Sequence, residues 1–152
     1  MFSKSTEYAL RATIFIAQKS SAEMKLGIKV ISEATDSPPS FTAKILQALT
    51  RDNKIVSSVR GPNGGFYMTE KAKKLPVRSI LDAMGEDDVL ERCILGLNQC
   101  SEIQPCPMHS QYKLIKKQLI LLFETKTIQQ LASEIKDGEV FINNNKTSLK
   151  RD

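Results

Sequence analysis

Four side chains able to bind a soft metal crowd one short stretch of this chain. Cys93, Cys100 and Cys106 are its three cysteines and fall within fourteen positions, and His109, its one histidine, follows Cys106 by three. Thiolates are soft ligands that suit iron–sulfur clusters or zinc. The gaps of six and five residues between the cysteines let a loop fold back around a cluster, and they exceed the two-residue knuckles common in zinc fingers. An odd cysteine count argues against a disulfide framework. Residues 93–107 also hold Gly96, Asn98, Pro105 and Pro107, so they read as an irregular loop away from any apolar stripe. That placement weighs against three buried packing thiols, the plain alternative. An iron–sulfur cluster is favoured over zinc and over unliganded thiols, and the plain alternative for His109 is a surface imidazole at a helix start.

A second kind of chemistry is electrostatic. The 152 residues carry a net charge of +5, with a pI near 9.1. The excess is one-sided: residues 1–75 hold 12 Lys/Arg against 6 Asp/Glu (net +6), and residues 76–152 hold 10 against 11 (net −1). A basic half points to a polyanionic partner such as nucleic acid. The composition, 41% hydrophobic and 26% charged, excludes collagen-like, mucin-like and wholly disordered chains. No apolar run approaches the ~20 residues needed to cross a bilayer. The start, MFSKSTEYAL, lacks the basic stretch and apolar core of a secretory signal, so a cytoplasmic protein is expected.

The elements that must position these groups follow from periodicity. There is no internal repeat. Residues 5–19 read as a helix, with Ala9, Ala12, Ile16 and Leu10, Ile14, Ala17 at three- and four-residue spacing. Gly27 opens a second short helix through Ile28, Ile31 and Ala34, and Thr35-Asp36-Ser37 is a turn. A third helix over about 38–52 starts on Pro38 and Pro39, with Ser37 as its expected N-cap. Phe41, Ile45, Ala48 and Leu49 form its expected apolar stripe. Ser37, Ser40, Lys44, Gln47 and Arg51 share the opposite face, where every side chain donates hydrogen bonds and none is acidic. The plain reading of such a face is simple solvation.

Two strand-favouring runs, 55–59 and 66–69, flank Arg60-Gly61-Pro62-Asn63-Gly64-Gly65, a strong hairpin signal. Helices followed by a glycine-tipped hairpin give the order of a winged helix-turn-helix, and the adjoining wing turns the polar helix face from solvated surface to DNA reader. Tyr67 is expected to pack under the wing or reach a phosphate, and Lys71, Lys73 and Lys74 read as a solvated linker. A Pro76-led helix carries Val77, Ile80, Leu81 and Met84, and residues 86–91 are acidic. A long helix starts near Pro107 and runs to about 124. Its Met108, Tyr112, Ile115, Leu119 and Leu122 alternate four and three apart, the coiled-coil seam period, with Leu114, Ile120, Leu121 and Phe123 adding apolar surface. A stripe this long and multi-sided points to a partner helix rather than to intramolecular core. Thr127 caps a last short helix with Ile128 and Leu131. From Lys136 onward periodicity fails, and a mobile tail is expected.

The strings STEYALRA (5–12) and SSVRGPNGG (57–65), the three-cysteine loop and the long helix after it resemble the Rrf-two family of winged-helix transcriptional regulators over about residues 1–135. The cysteine trio with His109 resembles its cluster-binding IscR-like and NsrR-like branch. The resemblance implies a mainly α fold with a small β-hairpin: a winged helix-turn-helix over 1–75, a connecting helix and cysteine loop over 76–106, dimerisation helices over 107–135 and the tail 136–152. It implies a homodimeric regulator, read as a repressor, bound to a palindromic double-stranded operator and controlled by a cluster that senses iron–sulfur status, nitric oxide or redox state. His109 would complete a [2Fe–2S] site with Cys93, Cys100 and Cys106; Glu7, in the TEYALR motif, is the alternative fourth ligand, and [4Fe–4S] the alternative cluster.

The third helix would enter the major groove, with Ser40, Lys44 and Gln47 at base edges and Arg51 and Ser37 on phosphate. Arg60 would enter a narrow minor groove. Gly61, Gly64 and Gly65 would permit the tight turn and close backbone approach. The alternatives are a cluster-free regulator answering a small-molecule effector and, from another class, a thiol-based redox or metallo-enzyme. The enzyme reading has little behind it. Only Glu91 and Glu102 stand near the cysteines as acid–base groups, and GPNGG is too short and wrongly placed for a dinucleotide-binding turn.

Overall fold

A computed structural model of the chain describes residues 1–135 and 140–144. The expected tail, 136–152, therefore lies outside the described residues except for 140–144.

The first helix, α1 (Lys4–Lys19), is capped by Ser3, whose hydroxyl accepts the Thr6 N–H. Its Ala9, Ala12, Ile16 and Ala17 are buried. Against them pack α2 (Ile28–Thr35) and α3 (Pro39–Leu49). Asp36, in the left-handed region at φ 51°, breaks the chain between the two. Ile31, Ile45, Leu46 and Leu49 close the core of this trihelical unit, each 2% exposed or less.

Two expectations for α3 change. Its N-cap is Pro38 rather than Ser37, and it ends at Leu49, with a separate 3-10 turn over Arg51–Asn53. Its buried stripe is Thr42, Ile45, Leu46 and Leu49, whereas Phe41, expected in the core, is 43% exposed. The reason lies in the turn. Ser37 is buried, its Oγ 2.5 Å from Thr42 Oγ1 and 3.0 Å from Thr35 Oγ1, and its carbonyl accepts the Ser32 hydroxyl at 2.6 Å. This hydroxyl chain draws Thr42 inward and rotates Phe41 out.

The hairpin pairs β1 (Ser57–Val59) with antiparallel β2 (Gly65–Tyr67), in the register Ser57 with Tyr67 and Val59 with Gly65. Leu26 adds a third chain on the other edge through two 2.8 Å backbone hydrogen bonds with Phe66. The expected lysine linker is a short helix, α4 (Glu70–Lys73), capped by Thr69. Next come α5 (Arg78–Ala83) and a 3-10 turn over Asp87–Leu90. The cysteine loop leads into α6 (His109–Thr125) and α7 (Ile128–Glu134), the latter closed by a Thr127/Gln130 capping box. Helix α7 returns to pack on α1. Val77 N–H donates to the Lys126 carbonyl and Ile128 N–H to that of Leu75, which ties the start of α5 to the α6–α7 corner.

Candidate metal centre and nucleic-acid interface

The cysteine loop has little regular structure, and its shape comes from local backbone hydrogen bonds. Gly96, at φ 75°, donates its N–H to the Cys93 carbonyl and turns the chain back toward the Cys93 sulfur. Cys93 is buried, and its thiol is held below the usual cysteine range. The N–H groups of Leu97 and Leu95 contribute most, burial works against them, and the Cys106 thiol and the Gly96 N–H add to the lowering.

At the other end of the loop, His109 donates its backbone N–H to the Cys106 carbonyl at 3.0 Å. Its imidazole is 7% exposed, which removes the surface-imidazole alternative. Nδ1 lies 3.5 Å from Cys100 Sγ. Nε2 is buried without a hydrogen bond and faces the Glu102 carboxylate at 3.4 Å. Lys113 is paired with Glu102 and, ahead of smaller contributions from His109, holds that carboxyl below its usual range.

Of the four donors, Cys100 and His109 are brought together directly, while the Cys106 thiol makes a small contribution to the lowered Cys93 thiol. Among the described residues no three of His, Cys, Asp and Glu meet closely enough to hold one metal ion. Glu7 stands apart in the first turn of α1, ion-paired with Lys4 at 3.3 Å. The carboxylate beside His109 is Glu102, which the sequence marked only as an acid–base group near the cysteines and not as a partner of the imidazole seven positions beyond it.

The basic half presents its own surface. Ser40, Lys44 and Gln47 are exposed along α3, and Arg51 continues the line on the following turn. Ser37 leaves this set, since its hydroxyl is buried in the Thr35/Thr42 chain and its N–H is spent on the Ser32 carbonyl. Arg60 is exposed at the wing tip beside Gly61, whose φ of 109° any side chain would resist. A Cβ on Gly64 would lie 2.1 Å from the Val59 carbonyl oxygen, and one on Gly65 2.8 Å from that of Leu26, so the tight wing requires both glycines. Tyr67 lies under the wing with Lys25 Nζ 5.5 Å from its ring centre; Lys25 was not anticipated, because nothing in the sequence marks Leu26 as a third strand.

The long helix leaves its apolar face open. Only His109 and Phe123 of its 17 residues are buried, whereas Ile115, Leu121 and Leu122 are 55%, 61% and 48% exposed and Leu114 is 65% exposed. Met108, just before it, is 47% exposed, and Tyr112 and Leu119 are half-buried.

Comparison with known proteins agrees with this architecture. Residues 2–134 match the family described as Rrf2, iron-dependent transcriptional regulator. The HTH-type transcriptional regulator NsrR of Oceanobacillus iheyensis is 30% identical over 137 residues, spanning 90% of each chain. The regulator IscR of Escherichia coli is 28% identical over 126 residues, spanning 83% of this chain and 76% of that one. Among solved structures, CymR of B. subtilis, the global cysteine regulator, superposes with a TM-score of 0.72 at 18% identity, covering 90% of this chain and 98% of its own. The relatives are transcriptional regulators, not enzymes, and among the described residues no helix is long and apolar enough to cross a membrane. With nearly the whole chain matched in sequence, and the helices and wing in place, the chain belongs to the Rrf2 family of transcriptional regulators.

Proposed function

We propose that this regulator acts as a homodimer on a palindromic double-stranded operator, as a repressor, with its affinity for DNA set by an iron–sulfur cluster held by Cys93, Cys100, Cys106 and His109. The observation that carries the reading is the meeting of Cys100 Sγ with a buried His109 imidazole, itself faced by Glu102, within the three-cysteine loop. A two-iron cluster takes two protein ligands on each iron, and Cys100 with His109 would supply one such pair, leaving Cys93 and Cys106 for the other. The backbone N–H groups that lower the Cys93 thiol favour the thiolate a cluster would need, and Glu102 stands where a carboxylate would orient a ligating imidazole through its far nitrogen. When bound, the cluster supplies a centre open to oxidation and to nitric oxide. A [2Fe–2S] form suits a mixed set of three thiolates and one imidazole, [4Fe–4S] is the alternative, and Glu7 is the alternative fourth ligand if a partner's first helix reaches the loop.

On the DNA side, Ser40, Lys44 and Gln47 reach base edges and Arg51 holds phosphate, while Arg60 enters the minor groove over Gly61, Gly64 and Gly65. The open stripe Met108, Tyr112, Ile115, Leu119 and Leu122 meets its copy in a partner, which sets two reading heads about one DNA turn apart. The division into 1–75, 76–106 and 107–135 follows these three tasks.

Iron and acid-labile sulfide analysis of anaerobically purified protein tests the proposal. Visible absorption bands with matched iron and sulfide, lost in Cys93→Ala, support it. Colourless wild-type protein that cannot be reconstituted with iron and sulfide would overturn it. The second reading, a cluster-free regulator answering a small-molecule effector, is favoured by one observation, that no three donors meet around a common point; it predicts that colourless result.

A further inference from the structure

Phe41 is an apolar ring where the sequence predicts core, yet it stands in solvent on the first turn of α3, between Ser40 and the Lys44 position one turn on. Its exposure is not slack. The Tyr8 ring of α1 meets it edge-on with centroids 6.0 Å apart. Tyr8 is in turn covered by the Arg11 guanidinium at 5.0 Å, and Arg11 donates to the Thr35 carbonyl at 2.9 Å. From the other side, the Ser37–Thr42 hydroxyl bond fixes the rotation of the first turn. A pillar of Arg11, Tyr8 and Phe41 therefore holds a part-exposed apolar ring on the flank of the surface that Ser40, Lys44 and Gln47 share.

The first turn of a recognition helix is the part that meets base edges. On the floor of the major groove the one apolar group is the C5-methyl of thymine. Bases lacking that methyl offer only polar edges there, which an aromatic ring would desolvate without compensation. We infer that Phe41 is a specificity-determining residue that packs on a thymine methyl in each half-site, with Tyr8 and Arg11 as positioning residues behind it. The inference rests on the reading that α3 enters the major groove.

The experiment takes the full chain, purified anaerobically, and enriches duplexes from a random-sequence library. Each thymine of the enriched duplex is then replaced singly by deoxyuridine, which removes only the methyl. Wild-type protein is expected to lose about fourfold in affinity at one thymine per half-site, the worth of one buried methyl carbon, with other positions unaffected. Phe41→Ala should bind the thymine and deoxyuridine duplexes equally well, and Tyr8→Ala should blunt the difference while leaving the salt dependence of binding unchanged.

If a duplex is enriched but no thymine-to-deoxyuridine change weakens wild-type binding by more than about twofold, Phe41 does not read a methyl. Should Phe41→Ala keep the wild-type loss, the methyl is read by another residue, and the assignment is equally wrong. The deoxyuridine scan with wild-type protein stands even if Phe41→Ala fails to fold, and Phe41→Leu, which keeps apolar bulk, should retain part of the discrimination. Failure to enrich any duplex would overturn the groove reading of α3 and this inference with it, whereas the first two outcomes overturn this inference alone.

Discussion

At the residue scale the chemistry divides between ligands and what stands behind them. Removing the carboxylate charge beside His109, as Glu102→Gln does, leaves all four donors in place. Outer-shell partners of this kind typically govern metal affinity by about 10–100-fold. Glu102→Gln should therefore lose iron to a chelator at least tenfold faster than wild type, and equal loss rates would remove Glu102 from the site. Glu86 offers a proton-linked test. Burial works to raise its carboxyl, but hydrogen bonds from the Ser3 hydroxyl and N–H, with Thr6 and the charge of Arg92, outweigh burial and hold it below its ordinary 4.5. A carboxyl lowered in the folded state contributes stability that is complete above its unfolded value and is lost as pH falls through the folded one. Thermal melts should thus show Glu86→Gln less stable than wild type at neutral pH, with the gap closing below about pH 4. A gap that persists unchanged into acid would mean the Ser3 contact does not depend on charge. The thiols and the imidazole were legible from residue type and spacing. Glu102 and Glu86 were not, since their partners are fixed by how a loop and a chain terminus happen to fold back.

At the element scale, periodicity located the helices well where one face meets a continuous core. It placed α1, α2, the wing, α6 and α7 within a few residues, because their apolar positions recur at a regular period. It erred at α3, where a buried Ser/Thr chain competes with an aromatic for the inside of the first turn. Thr42 wins because its hydroxyl satisfies Ser37 Oγ and the Pro38 carbonyl, and no hydropathy pattern reports that gain. Leu49, 1% exposed under the end of α3, is core in both readings, and Leu49→Ala should cost about 2–5 kcal/mol in denaturant melts. A cost below about 1 kcal/mol would mean that this site collapses around the cavity. Helix α6 makes the opposite case, with a seam written in the sequence and left open by a single chain. Charging it through Ile115→Lys and Leu122→Lys together should convert the protein to a monomer by sedimentation while leaving the far-ultraviolet spectrum unchanged. A dimer that survives both charges would place the interface elsewhere.

At the scale of the whole molecule, the end of α6 is anchored by buried Phe123, packed on Phe2, and polar ties run from α6 to α5 and to the segment that enters the cysteine loop. Arg78 of α5 pairs with Glu124 of α6 at 2.6 Å and with Glu91 at 3.6 Å, and Lys116 of α6 donates to the Glu91 carbonyl at 3.0 Å. Glu86, just upstream, accepts the Ser3 N–H at the start of α1. If a cluster orders residues 93–106 as proposed, these contacts would carry the change to α6 and to the start of α1, a local ligand event acting on a joint between them. The cysteines and the basic face that the proposal links were both visible in the sequence, but the contacts between them were not, since they are long-range pairs such as Arg78 with Glu124 that spacing cannot announce. Across the DNA face, Lys44→Ala and Arg60→Ala should each weaken binding by about 1–3 kcal/mol, and wild-type affinity should fall steeply with salt; a salt-independent affinity would contradict a phosphate-bound reading. The most direct measurement is the affinity of one enriched duplex for the same preparation before and after the iron is removed anaerobically by chelation. A change of at least tenfold, reversed on reconstitution with iron and sulfide and absent in Cys93→Ala, is the predicted result. Equal affinity in the iron-loaded and iron-free states would contradict it.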